Sequence, residues 1–257
     1  LKQQSPLYWH NFIEVSGFVD AGAPNRLAAA EGILGRFQNL SPTTVNHHSH
    51  SLSPHAPYSV SKNLFRLLNE KTAGQLITIH NQEAEAENEL YRRKSGRFLD
   101  LYNNFGIDIT GFEATGRSSL QSWLPYFNKD QRIIAVHNSF IGQEDVEQAR
   151  ALHFCLCINA NLYIENVLPP VEMLVQNDCN IILGTDSYAS NHSLNIMAEI
   201  NMVQQHFPAI PLEIILQWAT LNGAKALGID NRFGSFDKHK QPGLVLIKEG
   251  VARRVIT

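Results

Sequence analysis

Three short apolar runs in this chain each end at a residue that can bind a metal ion or carry a proton. His80 follows the run 76–79, His137 follows 133–136, and Asp186 follows 181–185. Apolar runs without strict alternation, separated by stretches of helical periodicity, are typical of strands buried on both faces of a parallel α/β sheet. Such sheets carry their chemistry at the carboxyl ends of the strands. The pattern therefore predicts that the three side chains arrive at one edge of a parallel sheet.

Two imidazoles and a carboxylate are the ingredients of a divalent-metal hydrolytic site, because a bound cation makes a water acidic enough to attack at neutral pH. Taken singly, each of these residues is also compatible with a purely structural role. His137 could be a buried histidine bonded to backbone. An unpaired buried charge is very costly, so Asp186 needs a partner, which could be a metal, a histidine or a helix start. Together the three residues favour a metal-dependent hydrolase.

The composition excludes several other classes of protein. A chain of 257 residues with 44% hydrophobic residues can form one large α/β domain. Its net charge of -3 gives no electrostatic case for binding nucleic acid or an anionic membrane. Three cysteines, Cys155, Cys157 and Cys179, are too few for a disulfide framework, which favours a reducing compartment. With no long apolar window and no signal peptide, we expect a cytoplasmic protein whose partner is a small-molecule substrate.

Predicted strands and helices alternate along the chain. The strands are expected over 12–18, 51–57, the run ending at His80, the run ending at His137, 153–159 and the run ending at Asp186. The helices are expected over 26–37, 61–69, 83–93, 143–152, 171–176, 194–206 and 211–221. Six strand–helix units are two short of a closed barrel of eight, and an open sheet would leave long exposed edges. We therefore predict a (β/α)8 TIM barrel over 1–235 whose first two units are absent from this sequence, and a C-terminal strand segment over 236–257.

A long stretch over 95–129 is predicted to be irregular. It is longer than an ordinary connection between a strand and a helix, which suggests a functional lid or cap. Arg117 lies in this stretch and could meet an anionic substituent on a substrate. The alternative is a solvated loop arginine.

The motif His80-Asn81-Gln82-Glu83 supplies a nitrogen ligand and, shortly after it, a carboxylate that can move a proton. The two can face one pocket if the chain turns from strand to helix at Asn81. The alternative for Glu83 is a helix-start carboxylate stabilised by the helix dipole. The further acidic residues Glu85, Glu87 and Glu89 are expected on a solvated helix surface.

Two other histidine segments stand out. His55 lies at the end of a predicted strand and has prolines on both sides, which fits a substrate-contacting side chain on fixed backbone. The alternative is a rigid turn capped by Ser59 or Ser61. His48 and His50 have the spacing of a metal-binding pair, but they precede the predicted strand, so we expect a surface cluster.

Several of these segments jointly resemble the amidohydrolase superfamily, within it the branch of purine, cytosine and aminofutalosine deaminases and related chlorohydrolases. They are Ser53-Pro54-His55-Ala56-Pro57-Tyr58-Ser59, the motif 80–83, His137, 157–161, 183–187 and 219–228. The resemblance implies that His80 and Asp186 bind the metal, beside a His-x-His pair that is missing from this sequence. It implies one divalent metal ion, zinc or iron, with zinc favoured. It also implies a small β-sandwich to which 244–247 would belong.

The resemblance further implies roles in a deamination. Glu83 would carry a proton from water to the leaving amine, Asp186 would help to deprotonate that water, and His137 would orient the attacking hydroxide. His55 would contact the substrate. Carboxylates suit such a shuttle when burial raises their pKa. Related proteins often associate, so a homodimer is compatible with this assignment.

The leading hypothesis is a hydrolase acting on non-peptide C–N bonds, which deaminates an aminopurine-like or other cyclic amidine substrate. A ring amidohydrolase or a chlorohydrolase would use the same residues. A hypothesis from a different class is a non-catalytic ligand-binding barrel that lacks the metal pair. Retention of Glu83, His137 and Asp186 favours the enzyme, because a binding module has no need of a proton-transfer set.

Overall fold

The computed structural model describes residues 7–39 and 48–256. The chain divides into two compact units, Leu1–Ile134 and Ala135–Thr257. Within the described ranges, no helix is both long enough and apolar enough to cross a membrane.

The first unit alternates strands and helices as predicted, and short helices follow the third strand–helix pair. Its elements are β1 (Trp9–Val15), α1 (Ala23–Gln38), β2 (His48–Pro54), α2 (Lys62–Thr72), β3 (Leu76–Asn81), α3 (Glu85–Arg93), α4 (Phe98–Asn104) and α5 (Ser119–Trp123). Strand β4 (Arg132–His137) begins in this unit and ends in the second. The first two strands each begin three residues before the predicted positions. Polar residues at their amino ends interrupt the apolar pattern from which the strands were predicted.

The carboxyl ends of β1, β2 and β3 lie at the same edge of the first unit. β1 and β2 pair in parallel from Trp9 with His48 to Val15 with Pro54. The backbone N–H of His55 donates to the Val15 carbonyl (3.1 Å), and the N–H of His80 donates to the His55 carbonyl (2.9 Å). These bonds place His55 and His80 next to one another, immediately after or at the ends of their strands.

The stretch 95–129 is more regular than predicted, because it contains α4 and α5. Buried aromatic residues connect the stretch to the rest of the first unit. The Trp123 Nε1–H donates to Asn81 Oδ1 (2.8 Å), and the Tyr102 hydroxyl donates to the Tyr58 carbonyl (2.6 Å). Its role as a lid stays a prediction.

The second unit also alternates strands with helices before a final hairpin. After β4 come α6 (Gln143–Ala149), β5 (His153–Leu156), α7 (Ile158–Glu165), α8 (Val171–Gln176), β6 (Asn180–Leu183), α9 (Ile196–His206), α10 (Leu212–Ala219), α11 (Leu221–Leu227), β7 (Leu244–Lys248) and β8 (Val251–Ile256). β5 and β6 pair in parallel, from His153 with Asn180 to Leu156 with Leu183. Parallel pairing and alternation in both units confirm the predicted α/β class.

Two strands in the second unit end earlier than predicted. The strand expected over 153–159 ends at Leu156, and α7, which was not predicted, begins at Ile158. β6 ends at Leu183, so Asp186 lies three residues beyond the strand. The predicted tail strand is present as β7, and it pairs with β8 in an antiparallel hairpin. Its membership of a β-sandwich, the domain boundary at 235 and the two absent barrel units stay predictions.

Candidate active site

His55 and His80 form a contact within the first unit. Their ring centroids lie 5.0 Å apart with the planes at 84°. The Ser59 hydroxyl lies 2.8 Å from the His55 Nδ1 and 3.0 Å from the Ala56 carbonyl. Ser59 therefore contacts the ring through Nδ1, and Nε2 is the other nitrogen of that ring.

The segment around His55 contains the capped turn of the alternative interpretation, and a substrate contact by His55 stays a prediction. Ser59 orients the histidine ring through its bond with Nδ1. Ser61 caps α2 by accepting from the Leu64 N–H (3.3 Å). The same short segment therefore fixes the candidate substrate contact and starts the helix behind it.

The turn between His80 and Glu83 is made by a strained residue. Gln82 has a left-handed φ of 46°, which is uncommon outside glycine. Its N–H donates to Glu87 Oε1 (2.9 Å), and its side chain donates to Asn88 Oδ1 (3.1 Å). These bonds hold the chain as it leaves β3 and approaches α3. Glu83 lies in this turn with a half-buried side chain.

Glu87 is buried, and the expectation that it lies on a solvated surface is wrong. Its side chain is 0% exposed, whereas the neighbouring Glu85 is exposed. Burial raises the pKa of Glu87 to about 8, against the lowering effect of hydrogen bonds that include the Gln82 backbone. Helical spacing could have shown this, because Glu87 shares a face with the buried residues Leu90 and Tyr91.

The pair His48 and His50 is part of β2 and not a surface cluster. The Asn11 side chain lies 2.9 Å from His50 Nδ1, and the Ser49 hydroxyl lies 2.7 Å from His10 Nδ1. Burial, with His50 and Arg132 nearby, lowers the pKa of His10 to about 4. This network lies at the amino ends of β1 and β2, at the opposite end of the strands from His55.

Arg117 lies in the loop directly before α5, and its side chain is exposed. Its backbone N–H donates to Thr115 Oγ1 (3.2 Å). The local geometry therefore fixes the backbone of this loop. A contact between the guanidinium and a substrate stays a prediction.

In the second unit, His137 ends β4 with a buried ring and a left-handed φ of 74°. The Asn161 side chain donates from Nδ2 to the His137 carbonyl (3.2 Å), so its Oδ1, 2.9 Å from Nδ1, faces the ring. An amide oxygen only accepts, so Nδ1 carries the proton and Nε2 has the lone pair in the neutral ring. A left-handed backbone at a non-glycine residue costs about 1–3 kcal/mol and is typical of functional sites. Asn161 was not among the predicted site residues, although it lies in one of the resembling segments.

Asp186 is held from both sides in the loop after β6. Its φ is 57°, and the Ser190 hydroxyl donates to its Oδ2. The preceding carbonyl, of Thr185, accepts from the Asn191 side chain (2.7 Å). One carboxylate oxygen is therefore oriented by a neighbouring hydroxyl, as is usual for carboxylates that bind metals.

Cys155 and Cys157 are buried. Both lie against Gly184, where an added Cβ would be 2.7 Å from the Cys155 Sγ and 3.3 Å from the Cys157 Sγ. A hydrogen bond with Cys155, together with burial, raises the pKa of Cys157 well above its usual range. Cys157 therefore remains a thiol, and both side chains pack under the loop leading to Asp186.

The model of the amidohydrolase family matches residues 44–256 of this chain. The chain is 28% identical over 190 residues to a 5-methylthioadenosine/S-adenosylhomocysteine deaminase of Pyrococcus abyssi, which covers 69% of this chain and 40% of that protein. It is 29% identical over 191 residues to a 5'-deoxyadenosine deaminase of Methanocaldococcus jannaschii, covering 70% of this chain and 41% of that protein. The chain thus spans about two fifths of the length of these relatives.

Solved structures show the same fold at lower identity. An aminofutalosine deaminase of Helicobacter pylori superposes with a TM-score of 0.80 at 24% identity, covering 94% of this chain and 61% of that one. An adenosine deaminase from Xanthomonas campestris with bound zinc superposes with a TM-score of 0.68 at 23% identity, covering 91% and 51%.

Proposed function

This chain belongs to the amidohydrolase family, and on that premise we propose that it is part of a metal-dependent hydrolase that deaminates an adenosine-like substrate. The observation that carries the proposal is that ligand-type or proton-carrying side chains lie at or just after the carboxyl ends of three strands. His80 is the penultimate residue of β3, His137 ends β4, and Asp186 follows β6. The substrate class comes from the relatives, whose names include 5-methylthioadenosine, S-adenosylhomocysteine and 5'-deoxyadenosine.

We assign His80 and Asp186 as protein ligands of one divalent ion. Each offers one ligand atom, an imidazole nitrogen or a carboxylate oxygen, and zinc accepts both types. The hydroxyl of Ser190 on the Asp186 carboxylate supports a ligand role, because such partners orient ligating oxygens. When bound, the ion would lower the pKa of a water toward neutrality. Zinc is favoured over iron, since a solved neighbour contains zinc.

Glu83 is the proposed proton carrier. In the reaction, one water adds its oxygen to the ring carbon that bears the amine, the C–N bond breaks, and ammonia leaves. Glu83 as a carboxylate would take a proton from the water and then, as an acid, give it to the amine nitrogen. Asp186 would assist the first of these transfers.

The two remaining histidines have hydrogen-bond roles that follow from the partners of their Nδ1 atoms. Because Asn161 holds the Nδ1–H of His137, the Nε2 of that ring is the atom that would orient the attacking water. Because Ser59 binds the Nδ1 of His55, the Nε2 of that ring is the atom that would contact the substrate. Arg117, on the exposed loop before α5, would meet an anionic substituent where the substrate carries one.

The proposal is tested by measuring ammonia release from 5-methylthioadenosine, S-adenosylhomocysteine and 5'-deoxyadenosine. We expect turnover of at least one of them, and a loss of about 100-fold or more in kcat for Glu83→Gln. Glu85→Gln, an exposed neighbour on α3, is the matched control and should retain kcat. Binding of these nucleosides without ammonia release would reject the enzyme and favour a ligand-binding barrel.

A further inference from the structure

We propose that Glu199 is a positioning residue that fixes both His137 and Asp186, an inference that rests on the proposed function. Glu199 lies on α9 and its side chain is 0% exposed. It lies on a different element from His137 and Asp186, and no step of the proposed reaction uses it. Its importance follows from the hydrogen bonds that its carboxylate accepts.

Three N–H groups donate to the Glu199 carboxylate. The backbone N–H of Asn159 donates to Oε2 (3.1 Å), and the Asn159 side chain donates to Oε1 (2.9 Å). The Asn191 side chain also donates to Oε1 (2.8 Å). One buried carboxylate thus joins the start of α7 to the loop after β6.

The bonds from Asn159 connect Glu199 to His137. Asn159 is the second residue of α7, and Asn161 lies two residues further along the same helical turn. Asn161 makes the two bonds to His137 that set its ring and its protonated nitrogen. By fixing the first turn of α7, Glu199 fixes the position from which Asn161 reaches the histidine.

The bond from Asn191 connects Glu199 to Asp186. The Asn191 side chain that donates to Glu199 also donates to the Thr185 carbonyl (2.7 Å). This bond lies directly before Asp186, whose left-handed φ of 57° must be maintained by its surroundings. By orienting Asn191, Glu199 supports the backbone that presents the Asp186 carboxylate.

A carboxylate is required at this position because all three of its partners are donors. Glutamine has the same shape, but its amide group has one accepting oxygen and an NH2 that cannot accept. In Glu199→Gln at least one N–H group would lose its partner, and the amide NH2 would face other donors. The substitution therefore tests the network while it leaves the packing volume unchanged.

The experiment compares Glu199→Gln with Glu213→Gln, an exposed position on α10. One readout is the pair of ¹⁵N chemical shifts of the His137 imidazole, which report its protonation and hydrogen bonding without turnover. The other is the division of the effect between kcat and KM for the nucleoside that is turned over. We expect altered His137 shifts and a kcat lowered by about 10–100-fold, with KM changed by less than about twofold. A folded Glu199→Gln protein whose shifts and kcat equal those of Glu213→Gln would overturn the proposal.

If Glu199→Gln does not fold, the connection through Asn159 and the connection through Asn191 are tested separately. Asn191→Ala should weaken zinc binding, measured by direct titration, and leave the His137 shifts unchanged. Asn159→Ala should alter the His137 shifts and leave zinc binding unchanged. Wild-type values of both readouts in both variants would overturn the proposal. Because the ¹⁵N shifts need no substrate, altered shifts in a protein that releases no ammonia would reject the proposed function and retain the positioning role.

Discussion

Asn161 binds His137 at two points, one on the ring and one on the backbone. Its Nδ2 donates to the His137 carbonyl (3.2 Å) and its Oδ1 lies 2.9 Å from the ring Nδ1. Both residues are about 1% exposed, so water cannot replace either bond. The pair therefore determines which nitrogen of His137 carries the proton.

Replacing Asn161 with alanine should lower kcat by about 10–100-fold, because the ring of His137 loses the partner that sets its orientation. Stability should fall by about 1–3 kcal/mol, since a buried donor and a buried acceptor lose their partners. Steady-state kinetics and urea unfolding measure the two effects. Gln148→Ala, an exposed position on α6, is the control. Unchanged kcat in a folded Asn161→Ala protein would contradict the role assigned to the pair.

Gly184→Ala should destabilise the second unit. The added methyl group would lie 2.7 Å from the Cys155 Sγ, and the cost of such overpacking is about 1–3 kcal/mol. The steric conflict is measured from the free energies of unfolding of three variants in denaturant: Gly184→Ala, Cys155→Ala and the double variant. The double variant should be less destabilised than the sum of the two single variants. Additive losses would show that the thiol is not what excludes a side chain at Gly184.

Glu87 should make the protein less stable as pH rises from about 5 to 8. Burial raises its pKa from 4.5 to about 8 in the folded state, so between these values the folded protein holds a proton that the unfolded chain releases. The contribution of Glu87 to stability is full below the unfolded pKa, and it falls by up to about 1.4 kcal/mol per pH unit through the window.

Glu87→Gln should flatten this pH dependence, because glutamine resembles the protonated acid and can still accept from the Gln82 N–H. Unfolding free energies at several pH values, compared with Glu85→Gln, measure the difference. A Glu87→Gln protein with the same slope as wild type would show that Glu87 does not hold a proton in the folded state.

Alternation of strands and helices was predictable because it depends on local periodicity. The runs before His80 and His137 were identified for the same reason, and they form β3 and β4. Two short helices were missed: α5 has only five residues, and the first two residues of α7 were assigned to the strand predicted over 153–159.

The polar residues that support the site were not predictable in the same way. Glu199 looks like an ordinary surface acid in sequence, yet it is buried and its carboxylate accepts bonds from backbone and side-chain N–H groups. The partners of Glu199 include Asn159, which lies 40 residues away in the chain. Such contacts depend on tertiary packing, which a single sequence does not show.

The metal content of the purified protein tests the central claim most directly. Plasma mass spectrometry should find about one zinc or iron ion per chain in the wild-type protein. The ion should be lost in Asp186→Ala and kept in Glu213→Ala, a control at an exposed site. A folded wild-type protein without metal, or an Asp186→Ala protein that keeps a full equivalent, would contradict the assignment of a metal-dependent hydrolase.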